Sequence, residues 1–241
     1  MDMEQYTKED STDREKTWQV RQLFSRIAHR YDLLNRLMTF GQDMRWRREA
    51  IRHLQLDAKG LVLDLGAGTG DVALLIQKEY PEVQVVAADL TLPMIYRGNK
   101  RTGGKKVFWV VADALHLPFP SLVFKGVISG YLLRNVPDVV RSLREQYCVL
   151  AQNGQVISLD TTPPQRNILY PFIRFYLRVV IPVLGRFLAG DKAAYTYLSD
   201  STERFLSAEK LADKMREAGF QEIEFARCML GTMVIHWGKK I

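Results

Sequence analysis

The chain has 241 residues, of which 47% are hydrophobic, 25% charged and 10% aromatic. This composition excludes disordered, collagenous and disulfide-scaffold proteins, and the length suits one enlarged domain with a full core. The formal net charge is +7, and residues 14–60 alone hold eleven Lys or Arg against five Asp or Glu. Such a basic segment suits nucleic acid, an anionic membrane or an anionic small molecule, and charge does not choose among them.

The cysteines and apolar segments bear on location. Cys148 and Cys228 have no metal-ligand or redox spacing, and the first residues form no apolar signal segment. We therefore expect a cytoplasmic protein without a metal site. The most apolar stretch, residues 168–190, is not expected to span a bilayer, because it contains two prolines and three arginines, Arg174, Arg178 and Arg186.

The apolar pattern divides the chain into segments. Residues 1–16 are polar and predicted to be flexible, whereas residues 17–58 have a helical pattern that predicts a cap of two or three helices. Short apolar runs then alternate with helical ones, which predicts a doubly wound α/β domain. The five strands of this part are predicted to begin at Leu61, Val83, Lys106, Leu122 and Gly154.

Residues 161–206 interrupt the alternation with an apolar, helical pattern, which predicts an insertion that covers the active site. A helix over 207–220 and strands over 221–228 and 232–239 follow. The last two strands are joined too tightly for a parallel crossover, so they should pair antiparallel at the sheet edge. The prediction is a seven-stranded, mostly parallel, Rossmann-like sheet in a single domain of residues 17–241.

A glycine turn follows the first strand. Asp64, Gly66, Gly68 and Gly70 stand in LDLGAGTGD, where the strand ends and a helix begins. Glycines there let a ligand approach the backbone, and the helix N-terminus supplies N–H donors. The dinucleotide fingerprint requires a third glycine where this chain has Asp71, an acid that would repel a pyrophosphate or simply cap its helix. The loop suits S-adenosylmethionine, which has no phosphate and carries ammonium and sulfonium charges.

Acids also end the next two predicted strands. Asp89 can accept hydrogen bonds from both ribose hydroxyls, and Asp113 with Ala114 can contact an adenine edge. Acids at strand ends are also common as solvated turn residues. Three of them at successive strand ends nevertheless favour a class I methyltransferase, because open parallel sheets bind ligands at the carboxyl ends of their strands.

Longer motifs narrow the family. The runs VRQLFSRIAHRYDLLNRLMTFGQDMRWRR (20–48), VLDLGAGTGD, LLRNVPD (132–138) and GRFLAGDKAAYTYLSDS (185–201) resemble the ubiquinone/menaquinone biosynthesis C-methyltransferases. The resemblance implies methyl transfer from S-adenosylmethionine to a polyprenylated benzoquinol or naphthoquinol, such as demethylmenaquinol. It implies cofactor binding by four residues, Thr69, Asp89, Asp113 and Ala114. Residues 168–188 fit either an extra pair of packing helices or an entrance for the prenyl tail, with Arg174, Arg178 and Arg186 at lipid headgroups. A lipid-soluble substrate favours the second, with transient contact at the inner face of the membrane.

The resemblance also places Arg134 and Asn135 beside the reacting ring. We expect Arg134 to stabilise the quinol phenolate, with Asn135 orienting it, because a guanidinium stays protonated. Tyr31 and His29 are candidates for polar contacts or the general base, although His29 also fits a surface position. The chain departs from the family pattern at Leu132, where glycine is usual, and at LDTTPP after strand five, where EFSKP is usual.

Other functions remain open. The basic N-terminal segment suits an RNA or DNA methyltransferase, but SGYLLRN is not the Asn/Asp-Pro-Pro-aromatic turn used for exocyclic amines, and no nucleic acid partner is expected. Another small aromatic or lipid substrate is a second alternative. A non-catalytic scaffold of a quinone-biosynthesis complex is a third, and the intact GAGTGD motif disfavours it.

Overall fold

The computed structural model describes residues 3–56, 59–166, 168–184 and 192–241. Three helices come first, α1 (Met3–Ile27), α2 (Tyr31–Met38) and α3 (Asp43–Arg52). Two or three helices were predicted here, but α1 begins at Met3, so the predicted boundary between residues 16 and 17 falls inside a helix. The early turns of α1 carry few apolar residues, and apolar periodicity does not detect such a helix.

A seven-stranded sheet follows. Its strands are β1 (Gly60–Leu65), β2 (Val83–Asp89), β3 (Phe108–Val111), β4 (Phe124–Gly130), β5 (Leu150–Thr161), β6 (Gln221–Cys228) and β7 (Met233–Lys239). Their order is β3-β2-β1-β4-β5-β7-β6, and β7 runs antiparallel to both β5 and β6 while the other pairs are parallel. The predicted mostly parallel sheet with an antiparallel pair at one edge is confirmed.

Helices cover both faces of the sheet. The helices after β1 are α4 (Asp71–Glu79), α5 (Leu92–Lys100), α6 (Val139–Val149), α7 (Tyr170–Phe175), α8 (Lys192–Arg204) and α9 (Ala208–Glu217). Of these, α4, α5, α6 and α9 pack on the sheet. Neighbouring residues of β1 enter different cores: Leu63 packs in a cluster with Leu143 of α6 and Met215 of α9, and Val62 packs with Ile76 of α4. This alternation follows from side chains of a strand pointing to opposite faces.

The N-terminal helices pack against the predicted insertion. Helix α7 continues as a π-helical turn (Tyr176–Val180). The two parts share a third cluster, formed by Leu23, Ile27, Leu34, Met38, Ile173, Leu177, Ile181 and Leu198. Within the described ranges, no helix has the length and apolar content needed to cross a bilayer. Arg186 and the run 185–191 lie outside the described residues.

Candidate active site

The glycine loop joins β1 to α4. Gly66 and Gly68 have φ angles of +70° and +56°, which L side chains rarely adopt. The amides of Gly66 and Ala67 donate hydrogen bonds to the Ala88 carbonyl of β2, at 2.8 and 3.0 Å. The space that a Cβ of Gly68 would occupy is open. The loop is therefore fixed to the neighbouring strand while its backbone stays accessible to a ligand.

A cleft of about 1010 Å³, open mouth included, lies at the carboxyl ends of the first strands. Its wall brings together most of the predicted cofactor-binding residues, namely Asp64, Gly66, Gly68, Thr69, Asp89, Asp113 and Ala114. Gly70 is not among the lining residues. It adopts φ +81° as the N-cap of α4, and a side chain there would collide with the Trp109 ring. Gly70 is thus required for the turn and for packing.

Asp89 and Asp113 hold the backbone at their strand ends. The two carboxylate oxygens of Asp89 accept hydrogen bonds from the amides of Gly68 (2.8 Å) and Thr91 (2.7 Å). Asp113 accepts one from the Leu115 amide at 2.9 Å. Because each carboxylate oxygen has two lone pairs, both acids retain acceptor capacity toward a ligand. Burial raises the pKa of Asp89, and its two backbone hydrogen bonds oppose that rise.

Asp64 is the most buried acid of the cleft. One of its oxygens accepts a hydrogen bond from the Ala73 amide of α4 at 2.9 Å. Burial raises the pKa of Asp64 to about 7; the Ala73 hydrogen bond and Arg47 oppose the rise, and Asp89 adds to it. A cationic ligand would favour the ionised form.

Asp71 is neutralised by three arginines. Its carboxylate lies 2.9 Å from Arg36 Nη2, 3.5 Å from Arg47 Nη2 and 2.8 Å from Arg101 Nη1. Burial by itself would raise the pKa of Asp71, but the three guanidiniums outweigh burial and lower it. The N-cap of α4 is Gly70, so Asp71 is not its cap. Through its ion pairs, Asp71 instead links the N-terminal helices to the glycine loop.

Helix α2 brings Tyr31 to the cleft and contacts Thr69 of the glycine loop, whereas His29, in the turn before α2, lies outside the cleft. Tyr31 lines the cleft, and burial raises its pKa. The Thr69 hydroxyl donates a hydrogen bond to Asp32 at 2.5 Å, so Thr69 also contacts the cap. His29 is exposed, and its Nδ1 lies 3.1 Å from a backbone carbonyl of α1. It lines neither this cleft nor the cavity described next, so the structure does not bring it to the site.

A second cavity, of about 1150 Å³ with its mouth, adjoins the cleft. Its wall is largely apolar and includes Met38, Phe40, Phe172, Ile173, Leu177, Leu198 and Met233. Asn35, Tyr131 and Arg134 add polar groups to it. Tyr131 lines both spaces, and the cleft and this apolar cavity therefore meet at Tyr131.

Arg134 pairs with a buried acid that we did not predict. Its Nη1 lies 3.3 Å from Asp160 Oδ1 and 3.2 Å from Thr161 Oγ1, and its side chain is 7% exposed. Burial raises the pKa of Asp160, while Arg134 lowers it. Asp138, an acid much closer to Arg134 in the sequence, instead caps α6 by accepting from the Arg141 amide.

Tyr131 is held by its backbone. It has a φ of +61°, an unusual value for a residue with a side chain that costs on the order of 1–3 kcal/mol. Its carbonyl accepts a hydrogen bond from Asn135 Nδ2 at 2.8 Å, and Asn135 Oδ1 accepts one from the Tyr197 hydroxyl at 3.3 Å. Asn135 therefore orients the turn at Tyr131, which corrects the expectation that it orients Arg134.

Sequence reasoning missed the arginines around Asp71 and the Arg134–Asp160 pair. The partners come from distant segments, and no local spacing connects them. The two departures from the family pattern do lie near the place where the cleft meets the apolar cavity. Leu132 lines the cleft, and a Cβ at Gly66 would lie 2.8 Å from the Leu132 side chain. Thr161 of the LDTTPP segment lines the apolar cavity.

The cleft fits S-adenosylmethionine. Its accessible glycine backbone accommodates a ligand in close contact, and Asp64, Asp89 and Asp113 make the wall acidic, as a ligand with two cationic centres requires. The sheet order, the antiparallel β7 and this site define a class I S-adenosylmethionine-dependent methyltransferase. A SAM-dependent methyltransferase from Thermotoga maritima has the same fold, with a TM-score of 0.67 and 20% identity over 92% of this chain and 100% of that one.

Comparison with protein families gives the particular family. The chain belongs to the ubiE/COQ5 methyltransferase family, whose model matches residues 10–240. It is 50% identical to the ubiquinone/menaquinone biosynthesis C-methyltransferase UbiE of Desulfotalea psychrophila, over 92% of this chain and 90% of that protein. It is 40% identical to the demethylmenaquinone methyltransferase of Thermus thermophilus, over 90% of this chain and all of that protein.

Proposed function

We propose that this chain transfers a methyl group from S-adenosylmethionine to a ring carbon of a polyprenylated quinol, either demethylmenaquinol or the equivalent benzoquinol. The observation that carries the proposal is that an acidic cleft and a larger apolar cavity meet at Tyr131. The first suits a cationic methyl donor, and the second suits a prenyl tail. The names of the relatives from Desulfotalea psychrophila and Thermus thermophilus support the same substrate class.

The bound donor supplies an electrophilic methyl group on a sulfonium. An aromatic ring carbon of the quinol gives an electron pair to that methyl carbon, the pair of the broken bond remains on sulfur, and the ring proton leaves to water. Before the attack, the neighbouring quinol hydroxyl loses its proton to water, and the negative charge left on that oxygen drives the attack. Arg134, fixed by Asp160 in the wall of the apolar cavity, is suited to stabilise that charge. Tyr31 remains a candidate for a second polar contact, from the cleft side.

Methyl transfer to defined quinols tests the proposal. The purified protein is incubated with methyl-labelled S-adenosylmethionine and either demethylmenaquinol or its benzoquinol equivalent, each with a short or a long tail. We expect label on the ring carbon of at least one of them, and the preferred quinol identifies the ring. Absence of label from all four, in a protein that binds the donor, would contradict the proposal.

The alternatives predict different outcomes. An RNA methyltransferase would label RNA in the same assay, a methyltransferase of another lipid would label a lipid extract but none of the quinols, and a scaffold would bind the donor and label nothing. Part of the basic N-terminal segment, which suggested RNA as a substrate, forms ion pairs within the protein, because Arg36 and Arg47 contact the acids Asp43 and Asp71.

We also propose that the protein binds the membrane surface around the mouth of the apolar cavity. Large apolar side chains are exposed there, including Phe40 (74%), Phe172 (73%) and Phe175 (60%). Phe40 and Phe172 also line the cavity. A lipid-soluble substrate could then enter without crossing water, and Arg174, which is exposed on the same helix, is suited to lipid headgroups.

Flotation with anionic vesicles tests this surface. We expect the protein to float with the vesicles and to be released by salt, and Arg174→Ala to lower partitioning about fivefold, because a basic residue near such a surface contributes about 1 kcal/mol. Arg178→Ala is the matched control: it changes net charge equally, but Arg178 is already bound to Glu203. Equal flotation of the wild type and Arg174→Ala would contradict the headgroup contact.

A further inference from the structure

Tyr131 occupies a position that no other described residue shares, because it alone lines both the acidic cleft and the apolar cavity. A methyl acceptor held in the apolar cavity and a donor held in the cleft must approach each other at this junction. Any polar atom of Tyr131 that faces the junction therefore lies close to the reacting groups.

The hydroxyl of Tyr131 is buried and has no hydrogen-bond partner among the described residues. Leaving a buried hydroxyl unpaired is unfavourable, and such a group in a folded protein requires an explanation. Arg134 Nε, in the wall of the same cavity, is also buried without a partner. Asn35 Nδ2, on another residue that lines the cavity, is a third such atom. All three can donate a hydrogen bond, and the one on Tyr131 belongs to the residue at which the cavity meets the cleft.

Two guanidiniums lie against the Tyr131 ring. Arg47 lies 5.2 Å and Arg134 5.0 Å from the ring centroid. Arginine cannot accept a hydrogen bond, so neither residue can satisfy the proton of the hydroxyl. The positive surroundings favour an anionic or electron-rich oxygen as the missing acceptor.

The position of Tyr131 does not depend on its hydroxyl. The Tyr131 amide donates to the Leu159 carbonyl at 2.7 Å, and its carbonyl accepts from Asn135 at 2.8 Å. Together with the two guanidiniums, these bonds fix the ring through backbone and face contacts. A variant without the hydroxyl should therefore keep the ring in place.

We propose that the Tyr131 hydroxyl donates a hydrogen bond to the oxygen of the bound quinol that becomes negatively charged when its hydroxyl proton leaves to water before methyl transfer, an assignment that rests on the proposed function. The bond is stronger to the ionised oxygen than to the neutral hydroxyl, so it favours the quinolate, the form whose ring carbon attacks the methyl group. Tyr131 is then a catalytic residue beside Arg134. The two donors approach the same oxygen, one neutral and one cationic.

The test is Tyr131→Phe in the full-length protein, assayed with the quinol that the wild type methylates. We expect kcat to fall about 10- to 100-fold, as for loss of one hydrogen bond to a charged group. The Kd for S-adenosylmethionine should stay within twofold and Tm close to the wild-type value. Tyr147→Phe, which removes a hydroxyl from α6 outside both cavities, should match the wild type in kcat.

Wild-type kcat in Tyr131→Phe would overturn the inference while leaving the proposed function intact. A parallel loss of kcat, donor affinity and Tm would also overturn it, because the hydroxyl would then be structural. If the wild type labels none of the quinols, the proposed function fails and the inference fails with it. This last result is recognisable because it does not depend on any variant.

Discussion

The acidic cleft and the apolar cavity are built in different ways. The cleft is formed mainly by the carboxyl ends of adjacent strands and by the loop between β1 and α4, so its acids come from a regular structural repeat. The apolar cavity is formed by α2, the helices after β5 and the turn before β7, which are far apart in the chain. The comparison shows that the cofactor site is built from the sheet and its loops. The proposed substrate site instead depends on how the N-terminal helices pack against the helical insertion after β5.

Electrostatics also separates the two regions. Asp64, Asp89 and Asp113 make the cleft acidic, and the nearby Asp71 is neutralised by arginines of the cap and α5. At the junction, Arg47 and Arg134 both lie against the Tyr131 ring. A cationic donor and an acceptor that gains negative charge would thus each meet charge of the opposite sign. If the regions are independent, variants of one should not change binding to the other.

The largest effect is expected at Arg134. Arg134→Gln should lower methyl transfer about 100- to 1,000-fold, as for loss of one preorganised donor at a developing negative charge. Donor affinity should stay within about twofold because Arg134 does not line the cleft. Steady-state rates and calorimetry with S-adenosylmethionine provide the measurement. Unchanged methyl transfer by the folded variant would remove Arg134 from the chemistry.

The Arg134–Asp160 pair requires a control for stability. Removing one partner of a buried ion pair costs about 3–5 kcal/mol, because an unpaired buried charge remains. The double variant Arg134→Gln with Asp160→Asn leaves no such charge and should recover most of the Tm. Activity should remain low in the double variant. Recovery of both properties together would mean that Arg134 is only structural.

At Asp89 we expect a smaller effect, and we expect it on donor binding, which Arg134→Gln should leave unchanged. Asp89→Ala should weaken donor binding at least tenfold, because each hydrogen bond from a ligand hydroxyl to a carboxylate contributes roughly 1.5–3 kcal/mol. The variant also loses the bonds that hold Gly68 and Thr91, so the loop should loosen. Quinol binding, measured with a quinol analogue, should not change. Asp138→Ala, which removes only the α6 cap, is the control that should leave donor affinity at the wild-type value.

The difference between the two regions also explains what the sequence could predict. The sheet and the positions of Asp64, Asp89 and Asp113 followed from strand patterns, because one strand end fixes the neighbouring strand end in a parallel sheet. The role of the last glycine of the motif did not follow from the strand pattern. Gly70 looked like a ligand contact, but its positive φ and its packing on Trp109 are reason enough for a glycine there.

The apolar cavity could not be predicted in this way. Its wall depends on how α2 packs on the helices after β5, and apolar periodicity reports that a helix has a buried face without reporting its partner. For the same reason the sequence did not predict the partner of Arg134, which lies 26 residues further along the chain on β5, at Asp160. His29 had the right residue type for catalysis, but it lies on an exposed turn.

Asp64 makes the donor affinity pH dependent. Its pKa of about 7 in the folded protein is above the usual value near 3.8, so the ligand-free protein holds a proton there that a cationic ligand displaces. Affinity should therefore fall about tenfold from pH 8 to pH 6. Without ligand, the same group makes the free energy of unfolding decrease as pH rises from about 4 to 7.

Calorimetry at several pH values, in buffers of different ionisation enthalpy, measures both the affinity and the proton released. Asp64→Asn should bind more weakly and without this pH dependence. A wild-type affinity that does not change between pH 6 and 8 would mean that Asp64 does not couple to the ligand. Methyl transfer at saturating donor should be insensitive to the Asp64 proton, which separates this effect from titration of the quinol.

The smallest effect is expected at the ion pairs that join the N-terminal helices to Asp71, beside the glycine loop. Arg36 contacts Asp71 with a side chain that is 28% exposed, and Arg47 makes a similar contact with one that is 5% exposed. Arg36→Gln should lower the free energy of unfolding by less than about 1 kcal/mol and change donor affinity less than threefold, because Arg47 and Arg101 still neutralise Asp71. Arg47→Gln should lower the free energy of unfolding several times more, because the buried acids Asp43 and Asp71 then have fewer positively charged partners. Urea unfolding and donor titration of both variants make the comparison. A tenfold loss of donor affinity in Arg36→Gln at unchanged stability would show that the position of α2, and hence of the cap, is part of the cofactor site itself.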